Sequence, residues 1–249
     1  MSTLFISDLH LDQARPQILE LFEQFLAGEA RRADALYILG DLFESWIGDD
    51  DDSNLAARVA SALHELGSHG IPIHFIAGNR DFLLGTDYAR RCGMQLLDDG
   101  TVIDLHGTPT LLMHGDTLCT DDIEYQAFRA QVREPKWQQQ FLAQPLTTRR
   151  AYAAQARDAS KAHTGSSDMA IMDVTDTAVI QALKQAGVQH MIHGHTHRPA
   201  VHELDVNGQP GQRIVLGDWY EQGSVLRVDE DKRNLQALPC LDRPAARGS

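Results

Sequence analysis

The stretch Val188-Gln189-His190-Met191-Ile192-His193-Gly194-His195-Thr196-His197 decides the fold, because its apolar first half predicts a buried strand that ends in histidines. Open α/β sheets carry their chemistry at strand ends of this kind. On an extended backbone, His195 and His197 would point to the same side. A metal site and ordinary hydrogen-bonded loop histidines both fit this stretch alone, so the rest of the chain has to decide between them.

Four other apolar runs also predict buried strands, and polar residues follow each of them. One such residue is explained by a turn or a helix cap, but repetition at successive strand ends favours a common site. Carboxylate and amide oxygens bind hard cations, imidazoles bind metals, and an arginine fork fits phosphate oxygens. The candidates are Asp8 and His10 after residues 3–7, Asp41 after 35–39, Asn79 and Arg80 after 71–77, and His114 after 110–113.

The order of predicted elements indicates one α/β domain with an insertion. Helical spacing of apolar residues predicts helices over 15–29, 53–67 and 173–186. We expect the histidine-bearing strand to return to the main sheet. The antiparallel strands 199–206, 212–216 and 224–228 should then form a second sheet against it, with a hairpin turn at Asn207-Gly208. The acidic run 49–52 lacks the spacing of an EF-hand loop and predicts a solvated turn.

The predicted insertion is helical and basic. Between residues 124 and 163 there are seven Lys or Arg against three acids, and this excess favours contact with an anion in a pocket or at a membrane. We therefore expect a core of residues 1–120 and 165–238, a helical cap of 121–164 above the strand ends, and a disordered tail of 239–249. An ordinary helical hairpin with its own small core fits the same apolar residues, which are Tyr125, Phe128, Val132, Trp137, Phe141, Leu142 and Leu146.

Composition narrows the class of protein. The 249 residues carry a formal net charge of −13 with a pI near 5.2, which argues against a non-specific nucleic-acid binder. The sequence contains no signal region and no run approaching the ~18–20 apolar residues of a membrane span, so we expect a cytoplasmic protein. Its three cysteines, Cys92, Cys119 and Cys240, have no paired spacing and predict neither disulfides nor a zinc knuckle.

Together, the strand ends provide two carboxylates, one amide and four imidazoles. Two divalent ions about 3.5–4 Å apart, bridged by one carboxylate, need roughly this many protein ligands. A single ion would leave ligands unused. The seven candidates are Asp8, His10, Asp41, Asn79, His114, His195 and His197.

Five blocks of this sequence resemble those of the calcineurin-like metallophosphoesterases, and they occur in the same order. The resemblance implies a four-layer α/β/β/α sandwich with an inserted helical cap and two manganese ions. Zn²⁺ or Fe²⁺ would fit the same oxygen and nitrogen ligands. The blocks are Asp8-Leu9-His10, Gly40-Asp41, Gly78-Asn79-Arg80-Asp81, His114-Gly115-Asp116 and Gly194-His195-Thr196-His197.

The flanking residues are similar to one family within that superfamily, the bacterial pyrophosphate hydrolases of lipid A biosynthesis. These include Leu42-Phe43-Glu44, Phe82-Leu83, Asp121-Asp122 and Leu216-Gly217-Asp218-Trp219. The resemblance implies a cap that binds acyl chains. A further basic contact is expected where this chain has Gly165-Ser166-Ser167, so Lys161 or Arg157 would have to replace it. The implied substrate contacts are Asn79, Arg80, Asp122, Ser160, Thr164 and His195.

This resemblance implies that water attacks the α-phosphorus of UDP-2,3-diacylglucosamine, giving UMP and 2,3-diacylglucosamine 1-phosphate. We expect one ion on Asp8, His10, Asp41 and His197 and the other on Asp41, Asn79, His114 and His195. Asp41 would be the bridge, and Arg80, Asp41 and His195 the catalytic residues. A monomer on the cytoplasmic face of the inner membrane is expected.

Two other functions remain open at this point. One is a metallophosphodiesterase that acts on a soluble nucleotide, which would not need an apolar and basic insertion. The other is a scaffold without catalysis, which would be expected to have lost metal ligands.

Overall fold

The computed structural model describes residues 2–166 and 173–240, with side chains described for residues 2–157 and 173–240. Its strands are β1 (Thr3–Ile6), β2 (Ala35–Leu39), β3 (Ile73–Ile76), β4 (Met94–Leu97), β5 (Thr101–Leu105), β6 (Thr108–Leu112), β7 (His190–His193), β8 (Ala200–Val206), β9 (Gln209–Val215), β10 (Gly223–Val228) and β11 (Arg233–Leu238). Its α-helices are α1 (Pro16–Ala27), α2 (Asn54–Ser68), α3 (Thr86–Cys92), α4 (Ile123–Arg133), α5 (Pro135–Leu142), α6 (Leu146–Ser166) and α7 (Asp176–Ala186).

The strands form two sheets. The first has six strands in the order β11-β10-β1-β2-β3-β4, with β1 to β4 parallel and β10 antiparallel to β1. The second has five strands in the order β5-β6-β7-β9-β8, in which β6, β7 and β9 run parallel. Parallel strands need burial on both faces, which accounts for their nearly continuous apolar runs.

The two sheets pack face to face between outer helices. Apolar side chains of both sheets, such as Phe5 and Ile192, fill the space between them. Helices α1, α2 and α3 cover the first sheet with side chains including Phe22 and Leu63. Helix α7 packs Leu183 against the second sheet. The predicted four-layer α/β/β/α sandwich is therefore confirmed.

The assignment of strands to sheets was partly wrong. The histidine-bearing strand β7 lies in the second sheet beside β6 rather than in the main sheet. Of the late strands, β8 and β9 join the second sheet through the predicted turn at Asn207-Gly208, whereas β10 returns to the first sheet and pairs with β1. The elements α3, β4, β5 and β11 were not predicted, because they are short and, apart from α3, half exposed, which weakens their hydrophobic period.

Three helices, α4, α5 and α6, lie between β6 and α7, and we call them the inserted helices. Trp137 and Phe141 of α5 stack with ring centroids 5.0 Å apart, and Tyr152 of α6 meets Phe141 at 5.3 Å. These rings give the segment an aromatic cluster of its own. None of the helices in the described ranges has both the length and the apolar character that a membrane span requires.

The acidic run 49–52 forms a turn in which Asp50 and Asp52 are exposed, as expected, but its carboxylates also bind protein groups. Asp49 accepts hydrogen bonds from three backbone N–H groups at the start of α3, those of residues 85, 87 and 88. Asp50 pairs with Arg149, and both Asp51 and Asp52 pair with Arg150. The loop therefore fixes α3 and holds α6 against the sandwich.

Candidate metal centre

The seven predicted metal ligands all lie at the carboxyl ends of five strands. Strands β1, β2 and β3 of the first sheet lead into Asp8, His10, Asp41 and Asn79. Strands β6 and β7 of the second sheet lead into His114, His195 and His197. Because both sheets present these ends at the same edge of the sandwich, the side chains converge there.

One group of ligand atoms comes from Asp8, His10 and His197. The two Nε2 atoms of His10 and His197 are 3.2 Å apart, and His197 Nε2 lies 3.4 Å from Asp8 Oδ1. His10 Nε2 also lies 3.7 Å from Asp41 Oδ2. We call this set the first cluster.

The second cluster contains Asp41, His114 and His195, together with Asn79. Asn79 Oδ1 lies 2.8 Å from His114 Nε2 and 2.9 Å from His195 Nδ1. Asp41 Oδ1 lies 3.7 Å from His114 Nε2. Asp41 therefore turns one carboxylate oxygen toward each cluster, which is the geometry of a bridging ligand.

The backbone conformation of the candidate ligands determines where their side chains point. Asp8, His10, Asp41, His195 and His197 all have φ between 48° and 71°, a left-handed conformation that is costly for residues other than glycine. The expectation that His195 and His197 share one side of an extended backbone was wrong, because β7 ends at His193 and the two rings enter different clusters.

Two glycines allow the strand ends to come this close. A Cβ atom on Gly194 would collide with Ser7 and with the Asp8 carboxylate, and one on Gly78 would collide with Asp41. Because each glycine lacks a side chain, its loop can pass directly against a candidate ligand that belongs to a different loop.

The chemistry of the donors fits divalent ions. Asp8 Oδ1 is buried and has no hydrogen-bond partner among the described residues, as expected of an oxygen reserved for a cation. Burial opposes a charge on His114, but Asp41, Asp8 and Asp116 outweigh it and raise the pKa of its imidazole to about 9. Burial and the neighbouring His114 lower the pKa of His195 to about 4. Oxygen and nitrogen donors without thiolate support a dinuclear divalent-metal site.

Two further groups orient these histidines, and sequence reasoning missed both. Glu44 Oε2 lies 3.3 Å from His10 Nδ1, and the carbonyl oxygen of Leu39 lies 2.9 Å from His114 Nδ1. Partners of this kind fix the ring so that its other nitrogen faces the metal. Glu44 ends the block Gly40-Asp41-Leu42-Phe43-Glu44, and its position after Asp41 was the available signal.

The predicted substrate contacts lie in different places. Arg80 donates its backbone N–H to Asp41 Oδ1 at 2.8 Å, and its side chain lines a cavity beside the clusters. Asp122 is at the start of α4, where it caps the helix by accepting from the N–H of Tyr125 at 3.0 Å. The side chains of Ser160, Lys161 and Thr164, and the residues near Ser167, lie outside the described part of the chain.

A cavity of about 310 Å³ opens between the clusters and the inserted helices. Its polar end is formed by Glu44, Asn79 and Arg80. Its other walls are mainly apolar and come from both the sandwich and the inserted helices. They include Trp46, Phe82, Leu83, Phe128, Val132, Trp137, Phe141 and Tyr152.

The protein can now be placed in its class. The family model described as calcineurin-like phosphoesterase matches residues 1–199, and the chain belongs to that family.

Its relatives narrow the assignment. The chain is 58% identical over 245 residues to the UDP-2,3-diacylglucosamine hydrolase of Xanthomonas axonopodis pv. citri (strain 306), with 96% of this chain and 99% of that protein covered. The protein of the same name from Stenotrophomonas maltophilia (strain K279a) gives the same identity and coverage. Within the superfamily, the chain is therefore a member of the UDP-2,3-diacylglucosamine hydrolase family, and the resemblance seen in the sequence blocks is confirmed.

Proposed function

We propose that this chain hydrolyses the pyrophosphate bond of UDP-2,3-diacylglucosamine, giving UMP and 2,3-diacylglucosamine 1-phosphate for lipid A biosynthesis. The observation that carries the proposal is that a complete two-cluster ligand set opens directly into an apolar cavity. A site for phosphate hydrolysis and an apolar surface for a lipid are thus adjacent at the carboxyl edge of the sandwich. The names of relatives at 58% identity support the same substrate.

We assign Mn²⁺ to both positions. Asp8, His10, Asp41 and His197 would hold one ion, and Asp41, Asn79, His114 and His195 the other. Two bound divalent ions supply Lewis-acid charge and lower the pKa of the attacking water. Zn²⁺ and Fe²⁺ suit the same oxygen and nitrogen donors, so the choice of manganese rests on the family resemblance.

The remaining steps belong to residues of the chain. Arg80 is held beside the clusters by its backbone bond to Asp41, and its guanidinium stabilises the charge that develops on the phosphoryl oxygens. His195 and Asn79 orient the phosphate at the second cluster. The group that leaves the α-phosphorus is a sugar phosphate, already a stable anion, so no strong general acid is needed.

The cavity offers an apolar surface on which part of the acyl chains can be buried. Each methylene buried there is worth about 0.8 kcal/mol, so partial burial of the chains already dominates affinity. The cavity lies under α4, α5 and α6 and includes Phe128, Trp137 and Phe141. In this arrangement the cap of residues 121–164 acts as the lipid-binding part of a single-chain, monomeric enzyme.

Substrate supply suggests a peripheral position on the cytoplasmic face of the inner membrane. Helix α4 exposes Ile123 at 71% and Phe128 at 43%, and apolar side chains at such exposure suit contact with a lipid surface. Arg129, Arg149, Arg150 and Arg157 bind carboxylates of the sandwich. We therefore assign membrane contact to the apolar side chains more than to charge.

The test compares two classes of substrate. Manganese-loaded protein is incubated with UDP-2,3-diacylglucosamine and, separately, with simple soluble nucleotide diesters, and UMP release is measured. We expect rapid release from the lipid nucleotide only. Faster turnover of the soluble diesters would instead identify a soluble-nucleotide phosphodiesterase. The matched control is Asp41→Ala, which removes a ligand from both clusters and should abolish activity and metal binding together.

A further inference from the structure

The short loop between β9 and β10 lies against the first cluster. The part of the loop that contacts the cluster, residues 218–220, overlaps the block Leu216-Gly217-Asp218-Trp219, which has no role in the proposed reaction. Asp218 Oδ2 faces His197 Nδ1 at 3.6 Å, within ion-pair distance. The backbone N–H of Trp219 donates to the carbonyl oxygen of Asp8 at 3.0 Å.

Tyr220 completes the contact. Its ring is stacked on the ring of His10, with centroids 5.2 Å apart and an interplanar angle of 9°, and it meets the ring of His197 at 5.4 Å. The guanidinium of Arg15 covers the ring of Tyr220 at 4.7 Å. Arg15 is itself anchored, since it donates to the carbonyl oxygens of His10 and Trp219.

The loop is also anchored in the hydrophobic core, independently of its contacts with the candidate ligands. The Trp219 side chain is fully buried, packs edge-on against Phe22 and Phe25, and donates from Nε1 to the carbonyl oxygen of Ser224 at 3.0 Å. The buried Trp219 side chain thus holds in place the loop whose contacts are with Asp8, His10 and His197, the residues of the first cluster.

The second cluster has different supports. The ring of Tyr125, from the inserted helix α4, is stacked on His195 with centroids 6.0 Å apart. Asp99 accepts the backbone N–H of His114 at 2.8 Å. Arg133 of α4 donates to the carbonyl oxygen of Gly78, the residue before Asn79, at 2.9 Å.

We propose that Asp218 and Tyr220 are positioning residues for the ion of the first cluster alone, so that each metal position has supporting contacts of its own besides the shared ligand Asp41. Asp218 sets the orientation and basicity of the His197 ring. Tyr220 packs against one face of the His10 ring and so fixes the plane of that ring. The inference rests on the dinuclear centre of the proposed function.

The test is metal binding, measured on the full chain with Mn²⁺ alone. Free Mn²⁺ is followed by electron paramagnetic resonance during titration, and occupancy of each position is read from manganese anomalous scattering in crystals. For Tyr220→Ala and Asp218→Asn we expect the dissociation constant of one ion to rise about 10- to 100-fold, the scale for loss of an orienting partner. Occupancy should fall at the first cluster and stay at the second.

Matched variants separate positioning from loss of fold. Tyr220→Phe keeps the stacked ring and should bind both ions like the wild type. Asp231→Asn, which changes an exposed carboxylate on the distant turn between β10 and β11, is the control for Asp218→Asn and should also bind both ions like the wild type. Retention of the second ion also shows that a variant is folded. Equal weakening of both ions, or unchanged binding of both, would overturn the inference. Wild-type UMP release is measured separately, so a failure of the proposed function is recognised independently.

Discussion

Arg129 of α4 donates from Nε to Oδ2 of Asp116 at 2.6 Å, and Asp116 lies two residues after the candidate metal ligand His114. Three other arginines of the inserted helices make comparable contacts. Arg133 binds the loop of Asn79, Arg157 binds Asp12 just after His10, and Arg149 binds the loop that follows Asp41. These arginines of the insertion thus hold loops that carry candidate metal ligands.

Loss of Arg129 should therefore destabilise the protein. Asp116 is buried, and its pKa is held well below its usual range because His114, His195, Arg129 and the Tyr125 hydroxyl outweigh the effect of burial. Arg129→Ala leaves this carboxylate with fewer partners, and we expect a loss of about 2 kcal/mol in the free energy of unfolding. Urea denaturation of the metal-free wild type and variant measures this difference in unfolding free energy. Lys136→Ala, at an exposed position on α5, is the control and should be neutral. Equal stability of all three proteins would contradict the assigned contact.

Arg80 should act on the transition state without holding metal. Arg80→Ala is expected to keep two ions per chain and to lose roughly 10²–10³ in kcat, the scale of removing one donor to a developing oxyanion. Elemental analysis and steady-state kinetics measure the two quantities. An effect confined to KM would make Arg80 a ground-state anchor for the phosphate.

The cavity should serve the lipid and not the metal chemistry. Phe141→Ser places a hydroxyl in the apolar wall, and we expect it to lower kcat/KM for the diacylated substrate while slow cleavage of a small chromogenic phosphodiester is retained. Leu142→Ser, on the same helix but outside the cavity lining, is the matched control. If Phe141→Ser reduced both activities equally, the inserted helices would only support the metal centre.

A histidine remote from the metal centre should make stability depend on pH. Burial lowers the pKa of His74 below its ordinary value of 6.5, and its ring is stacked on Tyr37 at 4.5 Å. Between the two pKa values the unfolded chain binds a proton that the folded chain does not, so stability falls as the pH decreases through this window. His74→Phe keeps the stack and should lose less stability between about pH 7.5 and about pH 5.5 in chelator. Parallel pH profiles of unfolding free energy for both proteins would contradict this.

The convergence of the seven candidate ligands at one edge could be predicted, because each of them follows a run whose burial is visible in the sequence. Asp8, Asp41 and His114 directly follow apolar segments, and the ends of parallel strands meet at one edge. The helices α1, α2 and α7 were predictable for the same reason, since their apolar residues recur at helical spacing.

Other features depend on contacts between distant residues, which no local pattern carries. The apolar run of β7 shows that the strand is buried but not which strand lies beside it. The charge of Arg129 predicts affinity for an anion, and only the fold shows that the anion is Asp116. Likewise, the positive φ angles of His195 and His197 arise from tight packing at the strand ends and override the extended conformation.

The central claim is that water attacks the α-phosphorus of a lipid nucleotide, and oxygen labelling tests it most directly. UDP-2,3-diacylglucosamine is hydrolysed by the manganese-loaded protein in H₂¹⁸O, and both products are analysed by mass spectrometry. The proposed reaction predicts one ¹⁸O atom in UMP and none in 2,3-diacylglucosamine 1-phosphate. Label in the lipid product, or no cleavage by protein that contains both ions, would contradict it.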